Sequence, residues 1–208
     1  MLPFRFYLIT DRLGAAGDPL PLLPALAAGG LRALQVREKD LSPAQLHAYG
    51  RRVRDALGEA GAGVAVFLND RADLAMSLGL AGAHLREDSL PLADQPQVFR
   101  RALLFGVSTH TLDGVLAAEA AEADFATFGP VYPTASKAAW GDPVGLKGLR
   151  QAAANSRLPL LALGGVTPER VAECIAAGAH GVAAISAVWA APEPVAALAA
   201  FREALGEL

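Results

Sequence analysis

Short, nearly unbroken apolar runs recur along the chain, separated by alanine- and leucine-rich stretches of helical character. Eight can be marked: Phe6 to Thr10, Leu34 to Glu38, Val64 to Asn69, Gly82 to Arg86, Leu103 to Ser108, Phe125 to Val131, Leu158 to Gly164 and Gly181 to Ser186. Continuous rather than alternating apolar runs are what strands covered on both faces require, and their alternation with helices predicts a parallel α/β sheet. Such a sheet closes as a (β/α)8 TIM barrel or stays open and doubly wound. Strand after strand ends in polar or glycine residues, among them Arg37 and Lys39, Asn69 and Asp70, Ser108 and His110, and Gly164 and Gly165. An open sheet gathers its ligand at one switch point and has no use for chemistry on so many strand ends, so the barrel is favoured. The helices carry their own signals. Ser42-Pro43 and Thr167-Pro168 each place a capping hydroxyl before a proline at the first helical position, and Gly61 and Gly178 stand where left-handed C-terminal caps are expected.

Length turns this pattern into a near-minimal barrel. The 208 residues divided among eight units leave 26 for each, with no low-complexity linker and no domain boundary, so a single domain over residues 1 to 208 is expected. The composition is 53% hydrophobic with a formal net charge of −3, which offers no basic field for a nucleic-acid backbone and no polybasic stretch for anionic lipid. Phosphate, if bound, is bound locally. No apolar run approaches the roughly 20 residues needed to span a bilayer. Cys174 is a lone cysteine, and the start MLPFRFYLIT lacks the basic region and long apolar core of a signal peptide, so a soluble protein of the reducing cytoplasm is expected.

The candidate chemistry sits at the strand ends. In LQVREKD the period of two puts Gln35, Arg37 and Lys39 on one face, with Val36 and Glu38 on the other. A planar guanidinium fork beside a mobile ammonium suits a phosphorylated anion, although a charged strand end can also be merely solvated. Gly164-Gly165 closes the seventh strand, and Ile185-Ser186 the eighth. Loops in these two places of a barrel often bind phosphate through bare backbone N–H groups, whereas Gly-Gly alone is equally a tight turn. Asn69-Asp70 suits Mg2+ held with phosphate oxygens, or simply caps the next helix. His84 to Ser89 adds Glu87 and Asp88, and Ser108 to Thr111 adds hydroxyls that serve a ligand or a cap. The segment from Gly129 to Leu146 is too long for a minimal turn, and its Thr134, Ser136 and Lys137 suit a flap over a negatively charged substrate. Trp140 and Trp189 are the aromatic candidates for exposure.

Together these motifs resemble the thiamine phosphate synthase family and its relatives, the TenI-type thiazole tautomerases. The resemblance runs in order through YLITD from Tyr7, LQVREK from Leu34, NDRADLA from Asn69, His84-Leu85, GVSTHT from Gly106, GPVYPTASK from Gly129, LALGGVTPE from Leu161 and GAHGVAAISA from Gly178. It implies a barrel that joins a pyrimidine methyl diphosphate to a hydroxyethylthiazole phosphate. Pyrophosphate would leave first, its charge absorbed by Mg2+ and cations, and the thiazole nitrogen would capture the pyrimidine cation. Gln35, Arg37, Lys39, Asn69, Ser108 and Lys137 match family contacts to the pyrimidine diphosphate, and Thr134, Gly165 and Ser186 match contacts to the thiazole phosphate. A homodimer is also implied.

Two departures from the family pattern bear on the reaction. The second metal-binding aspartate of the synthases aligns with Ser89, so the expected metal ligands are Asp70 and, if the loop shifts by one residue, Asp88. The histidine of the tautomerases aligns with Pro130, which transfers no proton. The synthase is therefore the first reading. A tautomerase using Glu38 or His110 as base, and a non-catalytic thiazole phosphate-binding regulator, are the alternatives. A carboxylate facing Asp70 across the mouth would favour the synthase; Ser89 facing in alone would count against it.

Overall fold

A computed structural model describes residues 2–14, 18–134 and 142–207. The eight strands are β1 (Phe6–Ile9), β2 (Ala33–Val36), β3 (Ala65–Asn69), β4 (Gly82–Leu85), β5 (Leu104–Thr109), β6 (Phe125–Phe128), β7 (Leu160–Ala162) and β8 (Gly181–Ala184). All neighbouring pairs are parallel and the order β1 to β8 is sequential. The barrel closes where Phe6, Tyr7 and Leu8 of β1 pair with Val182, Ala183 and Ala184 of β8, which rules out the open sheet. Nine helices are described: α1 (Leu23–Ala28), α2 (Pro43–Leu57), α3 (Ala72–Ser77), α4 (Gln97–Ala102), α5 (Leu112–Ala120), α6 (Gly145–Asn155), α7 (Pro168–Ala176), α8 (Ser186–Trp189) and α9 (Pro194–Ala204). None is long and apolar enough to cross a membrane.

The continuous apolar strands feed two separate cores. Outward residues such as Leu8, Leu34, Val36, Leu68 and Val182 pack beneath the helices, while Tyr7, Ile9, Ala33, Phe67, Phe125 and Leu161 fill the barrel. Phe4, Tyr7, Phe67 and Phe125 form an aromatic floor, with the Tyr7, Phe67 and Phe125 rings meeting edge to face at 5.3 to 5.5 Å. Alternation then lifts polar side chains above that floor: Gln35 follows Ala33, Asn69 follows Phe67, Ser108 follows Gly106 and Thr127 follows Phe125.

The cap signals hold in part. Ser42 and Gln45 complete a capping box at α2, and Gly178 takes φ 97° just past α7. Gly61 is no C-terminal cap: α2 ends at Leu57 with Gly58 at φ 50°, and Gly61 lies buried in a short 3-10 turn. The sixth and seventh strands end earlier than the apolar run suggests, because Pro130 offers no N–H and Gly164 and Gly165 turn to positive φ. Trp189 is not exposed. It is 3% accessible and its indole Nε1 donates to the carbonyl of Ile9 at 2.7 Å, joining α8 to β1. Trp140, Ser136 and Lys137 lie outside the described residues.

Candidate active site

The polar layer above the aromatic floor begins on β2 and β3. Gln35, 2% exposed, donates from Nε2 to Asn69 Oδ1 at 3.3 Å. This pairing leaves Asn69 no role as a helix cap, and α3 starts after Arg71 with no side-chain cap at all. Ser108 on β5 lies 3.1 Å from His84 Nε2 on β4, and the Thr127 hydroxyl reaches the same nitrogen at 3.4 Å. Thr111 caps α5 by accepting from Gly114 N, so the capping role in this segment falls to Thr111 and not to Ser108.

Arg37 rises from the inward face one step above Gln35. Its main-chain N–H donates to Thr10 Oγ1 at 2.9 Å, and the Thr10 hydroxyl in turn donates to Glu38 Oε1 at 2.6 Å. Burial pushes the Arg37 guanidinium pKa down, Asp11 and Glu38 oppose that, and Arg86 adds to it. Glu38 points away, as the period of two predicts. Its side chain is buried, its pKa is raised by that burial, and it is held by Thr10 and Arg12. A carboxylate so engaged between β1 and β2 supports the loop and does not face the mouth. His110 Nδ1 is bonded to the carbonyl of Gly129. Lys39 lies in the turn beyond the end of β2 and is exposed.

At the end of β3 the chain takes a left-handed turn at Asp70, φ 65°, a conformation that aspartate tolerates better than most residues. There the Asp70 carboxylate accepts from the Ser89 hydroxyl through Oδ1 and meets Arg86 Nη2 at 3.3 Å through Oδ2. Ser89 Oγ also accepts from the main-chain N–H of Arg86 at 2.8 Å. Asp88 is 74% exposed and lies 3.4 Å from Arg86 Nε. Thus Ser89, and no carboxylate, faces Asp70, an outcome that counts against the synthase, and Arg86 stands between the two aspartates. This does not fit the Mg2+ pair expected of Asp70 and Asp88. Both Asp70 oxygens have partners, one of them cationic, and no three acidic, histidine or cysteine side chains gather for a metal among the described residues.

The far side of the mouth is built from glycine. Gly164 and Gly165 adopt φ 96° and 64°, and a Cβ on Gly165 would lie 2.7 Å from Tyr132 Cβ. These glycines let the segment after β6 lie directly on the end of β7. Arg170 fixes the stack, donating to the Gly165 carbonyl at 2.5 Å with its guanidinium 4.4 Å from the Tyr132 ring centre. Thr134 is the last described residue of that segment, half-buried. Ser186 opens α8 immediately beyond β8, which pairs with β7, so Gly165 and Ser186 occupy adjacent strand ends.

This barrel carries an amide pair on β2 and β3, arginines after β2 and β4, and a glycine turn after β7, and the family model described as thiamine monophosphate synthase matches it over residues 6–188. The chain belongs to that family. Among its relatives, a Geobacter sulfurreducens protein is 45% identical over 192 residues, covering 92% of this chain and 89% of its own. The thiamine-phosphate synthase of Moorella thermoacetica is 37% identical over 198 residues, 95% of this chain and 93% of the relative. The solved thiamine phosphate pyrophosphorylase from Pyrococcus furiosus superposes with a TM-score of 0.84 at 28% identity, covering 98% of this chain and 96% of that one.

One member of the site escaped the sequence reading. His84 figured there only as part of a motif, yet it is 1% exposed at the centre of the polar layer, and burial, with Arg37 second, pulls its pKa to about 3. Its signal was present as a lone histidine on the inward register of an apolar strand.

Proposed function

We propose that this family member is a thiamine phosphate synthase, joining a hydroxymethylpyrimidine diphosphate to a hydroxyethylthiazole phosphate. The observation that carries this reading is the part-buried Gln35–Asn69 amide pair, with Arg37 the next inward residue on β2's register after Gln35. Carboxamides present both donors and acceptors, which is what an aminopyrimidine edge requires, and the guanidinium suits the diphosphate. The C–O bond between the pyrimidine methylene and the diphosphate breaks, pyrophosphate leaves with the electron pair, and the thiazole ring nitrogen forms the new C–N bond. No protein nucleophile is needed. Arg37 and Lys39 stabilise the charge gathering on the departing group, in a mouth where the aromatic floor keeps water away from one side. Ser108, positioned by His84, donates at the rim. Gly165, Ser186 and Thr134 form the thiazole phosphate side. Lys137, beyond the described residues, would add a further cation.

The protein acts in the cytoplasm, and as a homodimer. Exposed Met76, Val98 and Leu116 on the consecutive helices α3, α4 and α5 support an apolar contact between copies, and sedimentation of the purified protein tests it. The reaction itself is tested by mixing protein with both substrates and measuring pyrophosphate and thiamine phosphate together. Equal amounts of both products are expected. Interconversion of carboxylated thiazole isomers without pyrophosphate release would replace this reading by the tautomerase, and binding of thiazole phosphate with neither reaction would replace it by the regulator.

A further inference from the structure

Arg86 occupies an unusual place at the end of β4. Asp70 takes one of its terminal nitrogens, Ser89 accepts its main-chain N–H, and Asp88 flanks it on the solvent side. Its Nε is buried, and the nearby Asp88 oxygen stands off hydrogen-bonding geometry, so that N–H has no hydrogen-bond partner among the described residues. A buried donor left unmatched costs stability unless something else supplies the acceptor. Arg37 carries a second guanidinium at the end of β2, near enough for the two positive charges to repel, and that group makes no side-chain hydrogen bond or ion pair among the described residues. Two guanidinium groups at the ends of β2 and β4, the strands on either side of β3, describe a place for an anion with several oxygens.

We propose that Arg86, locked by Asp70 and Ser89, is a fixed cation of the diphosphate subsite, and that together with Arg37 it binds this anion without a divalent metal at Asp70. Asp70 is then the counter-ion that orients Arg86, and Ser89 is the hydroxyl that completes the lock. The inference deepens the synthase reading by assigning the charge that receives its leaving group, and it rests on that reading for the identity of the anion.

The test uses inorganic pyrophosphate as the ligand, in calorimetry on the whole protein, with excess chelator and again with Mg2+. The wild-type protein is expected to bind pyrophosphate in chelator. Arg86→Gln should weaken that binding tenfold or more, and Arg86→Lys, which keeps the charge, should restore part of it. Asp70→Asn should weaken metal-free binding, but by less than Arg86→Gln, because the amide can still hydrogen-bond Arg86 while the ion pair that orients it is lost. Binding that requires Mg2+ and is lost in Asp70→Asn would overturn the proposal, as would metal-free binding indifferent to both Arg86 substitutions. Because this readout involves no turnover, the two readings fail separately. Arg86-dependent pyrophosphate binding in a protein that makes no thiamine phosphate would remove the synthase assignment and keep the anion site. Turnover combined with pyrophosphate binding indifferent to Arg86 would do the reverse.

Discussion

His84 Nε2 lies 3.1 Å from the Ser108 hydroxyl, while Nδ1 of the same ring lies 3.4 Å from the Tyr7 hydroxyl on the opposite wall. One imidazole therefore ties the aromatic floor to the rim of the mouth. Because burial pulls its pKa to about 3, it does this as a neutral ring, which can donate through one nitrogen and accept through the other.

That neutrality predicts an acid sensitivity. The imidazole takes up a proton near pH 6.5 once unfolded but only near pH 3 when folded. Its contribution to stability is thus complete above 6.5 and declines as pH falls toward 3, by about 1.4 kcal/mol for each pH unit. Urea unfolding of wild type and His84→Gln between pH 6 and 4.5 should show their stability difference shrinking at about that slope. A constant difference would mean that the ring is charged in the folded protein.

Gln35→Leu should remove the amide pair while keeping most of the side-chain volume. It leaves Asn69 without its partner and takes a hydrogen-bonding group from the pyrimidine side. A fall of about tenfold or more in kcat/KM for the pyrimidine diphosphate is expected, with the KM for the thiazole phosphate little changed. Steady-state kinetics with each substrate varied in turn will separate the two.

Gly165→Ala should act on the other substrate. The new methyl would sit 2.7 Å from Tyr132 Cβ at a φ of 64°, so the segment after β6 must move or the turn must distort. The KM for the thiazole phosphate is expected to rise roughly tenfold, with a stability loss of about 1–3 kcal/mol. Calorimetric binding of the thiazole phosphate and thermal unfolding measure the two effects.

Trp189→Phe should keep the packing of α8 and delete one donor. The Ile9 carbonyl, bonded to the indole at 2.7 Å, would be left buried without it, at a cost of about 1–3 kcal/mol. Denaturant unfolding checks this, and because Ser186 opens the same short helix, the KM for the thiazole phosphate should rise no more than about twofold if the phenyl ring keeps α8 in place.

The sequence made the barrel legible because each strand announces itself locally, through a short apolar run closed by a polar or glycine end. It also placed Gln35 and Arg37 on the inward face, since a period of two needs no knowledge of neighbours. What stayed hidden depends on contacts between distant segments. His84 acquires its role only when Asn69 pairs in register with it and Tyr7 arrives from the first strand. Arg86 was only the last residue of the fourth apolar run until the left-handed turn at Asp70 brought a carboxylate against it, and Trp189 resembled a surface residue until barrel closure offered it the Ile9 carbonyl. The metal expectation on Asp70 and Asp88 counted the carboxylates but not the guanidinium between them.

The edge-to-face packing of Phe4, Tyr7, Phe67 and Phe125 has a kinetic corollary. It makes the mouth a blind well with a single door. A ring seated against Gln35 and Asn69 would rest near that floor and could enter or leave only through the mouth.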